Sequence, residues 1–311
     1  MDYSIPRIHI IKVVLIGFFL VFGPAAAILA REIVIDAGAD SLEAADDSLL
    51  EITVAFEPPD ETSLPGGRSL LPVVKSSRGE VRDTSRRAPG IYRTTISVPP
   101  APRPRFPHYL LLLAAAETPS GPAAAKMKIP VLSELIVKGK AKPGTRLTPL
   151  AGGAPAGDSV EADSGGVYEI RALVPPGIES IDIQISQNEK KYMREIKIET
   201  TRAAAAVIAA SSRTVRPGDG AFSFFIFAVD SRGEPARRDD VRTDCVNAQC
   251  SALDTVEPGL FTARATPEFV PGAEEVVITA QYRGGNYLET VDIGRAPPAS
   301  VALSAESGPV F

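Results

Sequence analysis

Ser77-Arg78-Gly79-Glu80 and Ser231-Arg232-Gly233-Glu234 are the same tetrapeptide in two halves of one chain. Each follows an apolar run, and each run follows a Pro-Gly pair, Pro65-Gly66 or Pro217-Gly218. A second shared block comes after each copy. It is Pro89-Gly90-Ile91-Tyr92-Arg93-Thr94-Thr95 in one half and Pro258-Gly259-Leu260-Phe261-Thr262-Ala263-Arg264 in the other. A shortened form lies between them, Gly166-Val167-Tyr168-Glu169-Ile170-Arg171. Self-similarity on this scale means several copies of a small domain rather than one large core. The Gly-aromatic blocks begin at Gly90, Gly166 and Gly259, 76 and 93 residues apart, which suits β-sandwich modules of roughly 100 residues.

The residues around these blocks read as strands. Glu51 to Phe56 alternates polar and apolar side chains, as do Ile91 to Val98 and Ile181 to Ile185. Ser69 to Val74 is a further expected strand, and Ser76 to Gly79 its turn, with Gly79 free to take positive φ. Tyr109 to Ala116 and Ala221 to Val229 are apolar on both faces and are predicted to be buried strands. Ala203 to Ala210 has helical propensity, but the repeat places an opening strand there. Pro99 to Pro107 is a stiff loop, because its prolines supply no ladder donors. The expected organisation is all-β, with sandwiches at 31–130, 131–200 and 201–295 and the start of a truncated fourth at 296–311. From its Arg-Gly-Glu turn to its Gly-aromatic block the third module is longer than the first, 26 residues from Gly233 to Gly259 against 11 from Gly79 to Gly90. The extra length is expected to be an inserted loop stapled by a local disulfide. That insertion holds Cys245 and Cys250.

The first 27 residues read as an export signal. Arg7 and Lys12 are basic, Val13 to Phe22 is an unbroken apolar run, Gly23-Pro24 ends it, and Ala25-Ala26-Ala27 offers small residues for cleavage. Left uncleaved, the segment would be a membrane anchor and the chain's one membrane contact. Its removal takes away Asp2, Arg7 and Lys12, a net +1, and moves the net charge from −5 to −6. An acidic exported chain without a basic stripe is a poor nucleic-acid binder. The two cysteines of an exported chain are expected to pair, closing a ring of six residues that contributes about 2 kcal/mol.

These patterns resemble bacterial immunoglobulin-like domains. Val229-Asp230-Ser231-Arg232-Gly233-Glu234-Pro235-Ala236 resembles the invasin/intimin type: an apolar strand, an Asp-x-x-Gly-x-Pro turn and a return strand. In the first module, Val81 stands where the third has Pro235. Gly139, Ala141, Pro143, Gly144, Asp163, Gly166, Tyr168 and Gly177 resemble another Ig-like type, found in accessory domains of glycan-acting enzymes and in surface proteins. The resemblance implies structural roles. Gly79, Gly90, Asp163, Gly166, Gly233 and Gly259 would set turns. Tyr92, Tyr168 and Phe261 would plug sandwich edges, the tyrosines bonding backbone as in a tyrosine corner. The antibody-type inter-sheet disulfide and its buried tryptophan are missing.

No catalytic or cofactor constellation emerges. His108 is the one histidine after the leader, with no nucleophile motif beside it, and zinc would need more His or Cys ligands than exist. Asp36 and Asp40, in Asp36-Ala37-Gly38-Ala39-Asp40, are calcium candidates, against the plainer reading of a solvated acidic face. The chain has no Trp, which disfavours an aromatic platform for glycans. The expectation is a non-enzymatic bacterial protein, secreted, periplasmic or on the cell surface, acting as a stalk or adhesin segment toward a protein or glycan partner. The alternatives are the accessory region of an exported enzyme whose catalytic domain lies beyond residue 311, and a self-contained periplasmic factor.

Overall fold

The computed structural model describes residues 32–57, 71–101, 106–118, 121–187, 190–198 and 204–294. The leader at 1–27 and the segment 296–311 lie outside these residues.

The first sandwich uses β1 (Glu32–Ala37), β2 (Leu42–Glu43), β3 (Ser48–Glu57), β4 (Val73–Ser76), β5 (Glu80–Ala88), β6 (Ile91–Val98), β7 (His108–Thr118) and β8 (Gly121–Lys140). One sheet has the order β1-β3-β6-β5 and the other β2-β8-β7-β4, with the short β2 parallel to β8. This is the ABED and A′GFC arrangement of an immunoglobulin-like sandwich. Alternation in β6 puts Tyr92, Thr94, Ile96 and Val98 inside, and Tyr92 meets Phe56 edge-on at 5.8 Å.

The second sandwich adds β9 (Arg146–Ala151), β10 (Ala154–Pro155), β11 (Val160–Glu161), β12 (Val167–Val174), β13 (Ser180–Gln187) and β14 (Lys190–Lys197). Its order β10-β9-β13-β14 faces the pair formed by β12 and the second half of β8, around Leu147, Ile170, Val174, Ile181 and Ile183. The boundary expected between residues 130 and 131 therefore falls inside one strand. Gly121 to Val131 pairs with β7, and Ser133 to Lys140 pairs with β12. Gly139 lies directly opposite Tyr168, and a Cβ on Gly139 would come within 2.4 Å of the tyrosine hydroxyl. The ring thus covers the gap that the glycine leaves in the ladder.

The third sandwich comprises β15 (Ala205–Ala210), β16 (Thr214–Val215), β17 (Phe222–Val229), β18 (Val241–Val246), β19 (Ala248–Cys250), β20 (Asp254–Glu257), β21 (Leu260–Pro267), β22 (Glu275–Tyr282) and β23 (Gly285–Ile293). A single 3₁₀ turn, Arg238–Asp240, precedes β18. The sheets run β15-β17-β21-β19 and β16-β23-β22-β18, with β16 parallel to β23. This again is ABED against A′GFC. Ala205–Ala210 forms a strand despite its propensity, because every residue from Ala206 onward is buried between packed sheets.

The topology corrects the alignment of the repeat. Ser231-Arg232-Gly233-Glu234 follows β17, the second strand of its sandwich, whereas Ser77-Arg78-Gly79-Glu80 links β4 to β5, the third to the fourth. The Gly-aromatic blocks are equivalent, since Ile91 and Leu260 each open the fifth long strand. The residues taken for an insertion are strand β18 and its connections. The tetrapeptide recurs because a tight turn wants glycine at positive φ wherever it occurs, and Gly79 (φ +85°) and Gly233 (φ +79°) both provide it. In the third sandwich Asp230 Oδ1 accepts from the amides of Arg232 and Glu234. Asp163 Oδ1 does the same for Gly165 and Val167. The aspartate turn, rather than the tetrapeptide, is the motif shared by two of the modules.

The cysteines pair as expected, but the place of the bond differs. Cys245 and Cys250 are bonded, with Cα atoms 6.0 Å apart. Cys245 sits on β18 in one sheet and Cys250 on β19 in the other, so the bond joins the two sheets at their edge rather than bracing a loop.

Three apolar layers stack. Leu110, Leu112 and Ala114 of β7 fill the first sandwich, and Phe224, Ile226 and Ala228 of β17 fill the third. The alternate residues form a separate core between the sandwiches: Leu111, Leu113 and Ala115 meet Val207, Ala209, Phe225, Phe227 and Val229. Both strands are apolar on both faces because both faces are buried.

Candidate functional site

The junction of the sandwiches gathers most of the polar side chains that reach from one to another. Lys126 and Lys128 are two residues apart on β8, so they leave the same face. The Lys126 ammonium donates to the Pro258 carbonyl, lies 3.3 Å from Glu257 and sits 5.3 Å from the centre of the Phe227 ring. Lys128 donates to the Gly233 carbonyl at 2.7 Å and stacks over Tyr109 at 5.2 Å. The two lysines thus seize the two turns, 230–234 and 257–259, that bound the facing sheet. The Tyr109 hydroxyl lies 3.3 Å from the Arg232 carbonyl and 3.5 Å from that of Pro176, and donates its one proton between them. Burial, with Asp230 and Glu234 nearby, holds this phenol above its ordinary range. Gly233 is required here twice: by its positive φ, and because a Cβ would lie 2.6 Å from the Tyr109 ring.

Two further contacts close the junction. Ser211 donates to Glu117 at 2.6 Å. Lys75 of β4 meets Glu289 of β23 at 2.6 Å. Glu289 is 5% exposed and faces inward beside Val291. Burial drives its carboxyl upward, and Lys75 and Arg213 pull it back only in part.

A cleft of about 760 Å³ opens where the second and third sandwiches meet. Asp230, Ser231 and Arg232 come from the turn after β17, and Arg283 from the β22–β23 hairpin. Gly177, Glu179 and Ser180 lead into β13, and Glu195 and Lys197 end β14. Arg232 pairs with Glu179, and Arg283 approaches Asp230 at 3.7 Å. Arg283 holds φ +46°, an unusual state for a side chain of its size.

The residues singled out in the sequence are dispersed. Gly90, Gly166 and Gly259 occupy turns at positive φ. Tyr92, Tyr168 and Phe261 are interior core residues, 3%, 5% and 1% exposed, rather than plugs at an edge. Backbone bonds from tyrosine hydroxyls are instead made by Tyr109 and by Tyr287, whose hydroxyl donates to the Ala204 carbonyl at 3.0 Å. His108 is committed to structure. Its Nε2 accepts from the Arg78 guanidinium at 3.3 Å, which leaves Nδ1–H to donate to the Phe106 carbonyl at 3.2 Å. Burial holds the ring neutral below its usual range. Asp36 and Asp40 are exposed, and no group of three metal-ligating side chains occurs among the described residues. Lys75, Tyr109, Lys126, Lys128 and Glu289 carried no sequence signal beyond the two-faced apolarity of β7 and β17.

No protein-family profile matches the chain, and no curated protein sequence does. Among solved structures it is similar to an I-band fragment from titin, at 8% identity over 86% of this chain and 100% of that one, with a TM-score of 0.30. It is similar to Yersinia pseudotuberculosis InvD at 12% identity over 85% of this chain and 58% of that one, TM-score 0.25. A third is invasin, a bacterial integrin-binding protein, at 10% identity over 85% and 60%, TM-score 0.24. With TM-scores of 0.24 to 0.30 these likenesses add nothing to the assignment, which rests on strand order. The chain is an array of immunoglobulin-like β-sandwiches.

Proposed function

We propose that this chain is an exported, non-enzymatic structural or adhesive protein that presents its sandwich ends to a partner from a rigid block. The observation that carries the reading is the third apolar core, Leu111, Leu113 and Ala115 against Val207, Phe225 and Phe227. An independent string of modules needs no such core. A core between modules fixes the turns at 230–234 and 283–284 in one orientation, which favours presentation of a surface over flexible reach. The leader-like segment at 1–27 favours export, and the chemistry of the junction is that of packing: capped carbonyls and ion pairs. The test is exposure on intact cells. Labelling by a membrane-impermeant amine reagent, with a mature N-terminus just after Ala27, supports the reading. A chain that stays in the cytosol with its leader intact overturns it.

A further inference from the structure

β14 is an unusual edge. Among the described residues it pairs with β13 alone, and seven of its eight side chains are exposed. Tyr192 is 54% exposed and Met193 55%, on opposite faces of the strand. Lys190, Lys191, Arg194 and Lys197 outnumber Glu195, a net +3 on a chain whose total is −5. Basic residues on an edge repel a second copy of the same strand, which is how proteins guard against self-pairing. They do not guard against an acidic strand, and they leave two large apolar side chains uncovered. The strand also leads somewhere. Its last residues, Glu195 and Lys197, line the 760 Å³ cleft between the second and third sandwiches.

We propose that β14 and the adjoining cleft form a docking site for an extended acidic segment of a partner protein, which adds to the sheet as a further strand. The proposal rests on the partner-presenting reading above and specifies its site. The main-chain groups on the open side of β14 supply the ladder, as in other edge-strand recognition. Tyr192 and Met193 take apolar side chains of the incoming strand, one on each face. The four cations take its carboxylates, with Lys190, Tyr192 and Arg194 on one face and Lys191, Met193 and Lys197 on the other. The end of the segment enters the cleft, where Arg283 and Lys197 meet it.

The test uses the purified exported chain and a synthetic peptide of repeating Glu-Glu-Val-Val, which places carboxylates and apolar side chains on both faces of an extended strand. The expected result is saturable binding, at least about tenfold weaker for the triple variant Lys190→Glu, Lys191→Glu, Arg194→Glu, with new amide-exchange protection confined to β14. A peptide N-methylated at alternate amides loses binding, because it cannot complete the ladder. Four outcomes overturn the proposal: no binding, equal binding of the peptide with lysine in place of glutamate, undiminished binding of the N-methylated peptide, or protection already in the free chain of those β14 amides that face away from β13. The three substitutions lie on an exposed strand, and an unchanged thermal midpoint separates lost binding from lost fold. Surface exposure on cells is a separate readout, so docking can fail while export holds.

Discussion

Lys75 Nζ and Glu289 Oε2 lie 2.6 Å apart, one on the first sandwich and one on the third, with the carboxylate buried and the ammonium partly open to water. The pair exists only while the sandwiches are docked. Glu289 faces inward on β23, and docking provides its ion-pair partner, whereas the weaker pull of Arg213 comes from its own sandwich. Removing one member of a buried pair costs more than removing both.

Lys75→Met is expected to destabilise the chain by about 2 kcal/mol at pH 8, less than for a fully buried pair because Lys75 is partly solvated. The folded carboxyl is raised above its ordinary value of 4.5, so it protonates more readily in the folded state. The stability associated with it is full below the unfolded value and declines as pH rises through the folded one. Glu289→Gln should therefore gain on the parent chain as pH rises across that window. Lys75→Met should approach the parent near pH 4, where the carboxyl is neutral. Urea unfolding of the three chains across pH measures this, and a pH-independent difference between Glu289→Gln and the parent counts against it.

Phe227→Asp places a charge in the core between the sandwiches without touching either sandwich's own interior. The first and third sandwiches should then unfold in two steps rather than together, with a larger radius of gyration in solution scattering. Phe224→Ala, inside the third sandwich, should instead cost about 3–5 kcal/mol from that sandwich alone. Retention of a single transition in Phe227→Asp would show that the sandwiches are coupled by something other than this core.

Reduction of Cys245–Cys250, or its replacement by two serines, is expected to cost about 2 kcal/mol by the ring-closure argument. Because the bond joins β18 to β19, amide exchange should rise at both sheet edges, with β15 and β17 unchanged. Faster exchange confined to Asn247 would mean a loop brace only.

Gly233→Ala combines a side chain at φ +79° with a Cβ 2.6 Å from the Tyr109 ring, and about 2 kcal/mol of lost stability is expected. Pairing it with Tyr109→Ala removes the clash and leaves only the backbone term, so the double variant should lose less than the sum of the two single changes. Additive losses would place the ring elsewhere.

The alternation of Glu51 to Phe56 and Ile91 to Val98, and the glycines at 90, 166 and 259, made the sandwiches and the strands that follow those glycines legible, because strand period and positive φ are local demands. The unusual apolarity of Tyr109–Ala116 and Ala221–Val229 was also legible. Its cause was not, since a strand buried by its own sandwich and one buried by a neighbour read alike. The tetrapeptide at 77–80 and 231–234 misled for a related reason: four residues specify a turn and carry no record of which strands it joins. Lys75 and Glu289 are far apart in sequence and ordinary in type, so nothing local announces their pairing. The cysteines announced a bond but not its span, because a separation of five residues fits a loop as well as a crossing between sheets.

β8 has a mechanical meaning. Its 20 residues run as one extended segment through two sandwiches, roughly 65 Å of backbone without a hinge. Tension entering from the second sandwich passes into the first along the strand axis. There the eleven registered pairs with β7 resist in shear, sharing the load, rather than opening one at a time as a peeled hairpin does. A linker at this point would stretch first and shield both neighbours. Without one, the two sandwiches yield as a single stiff element.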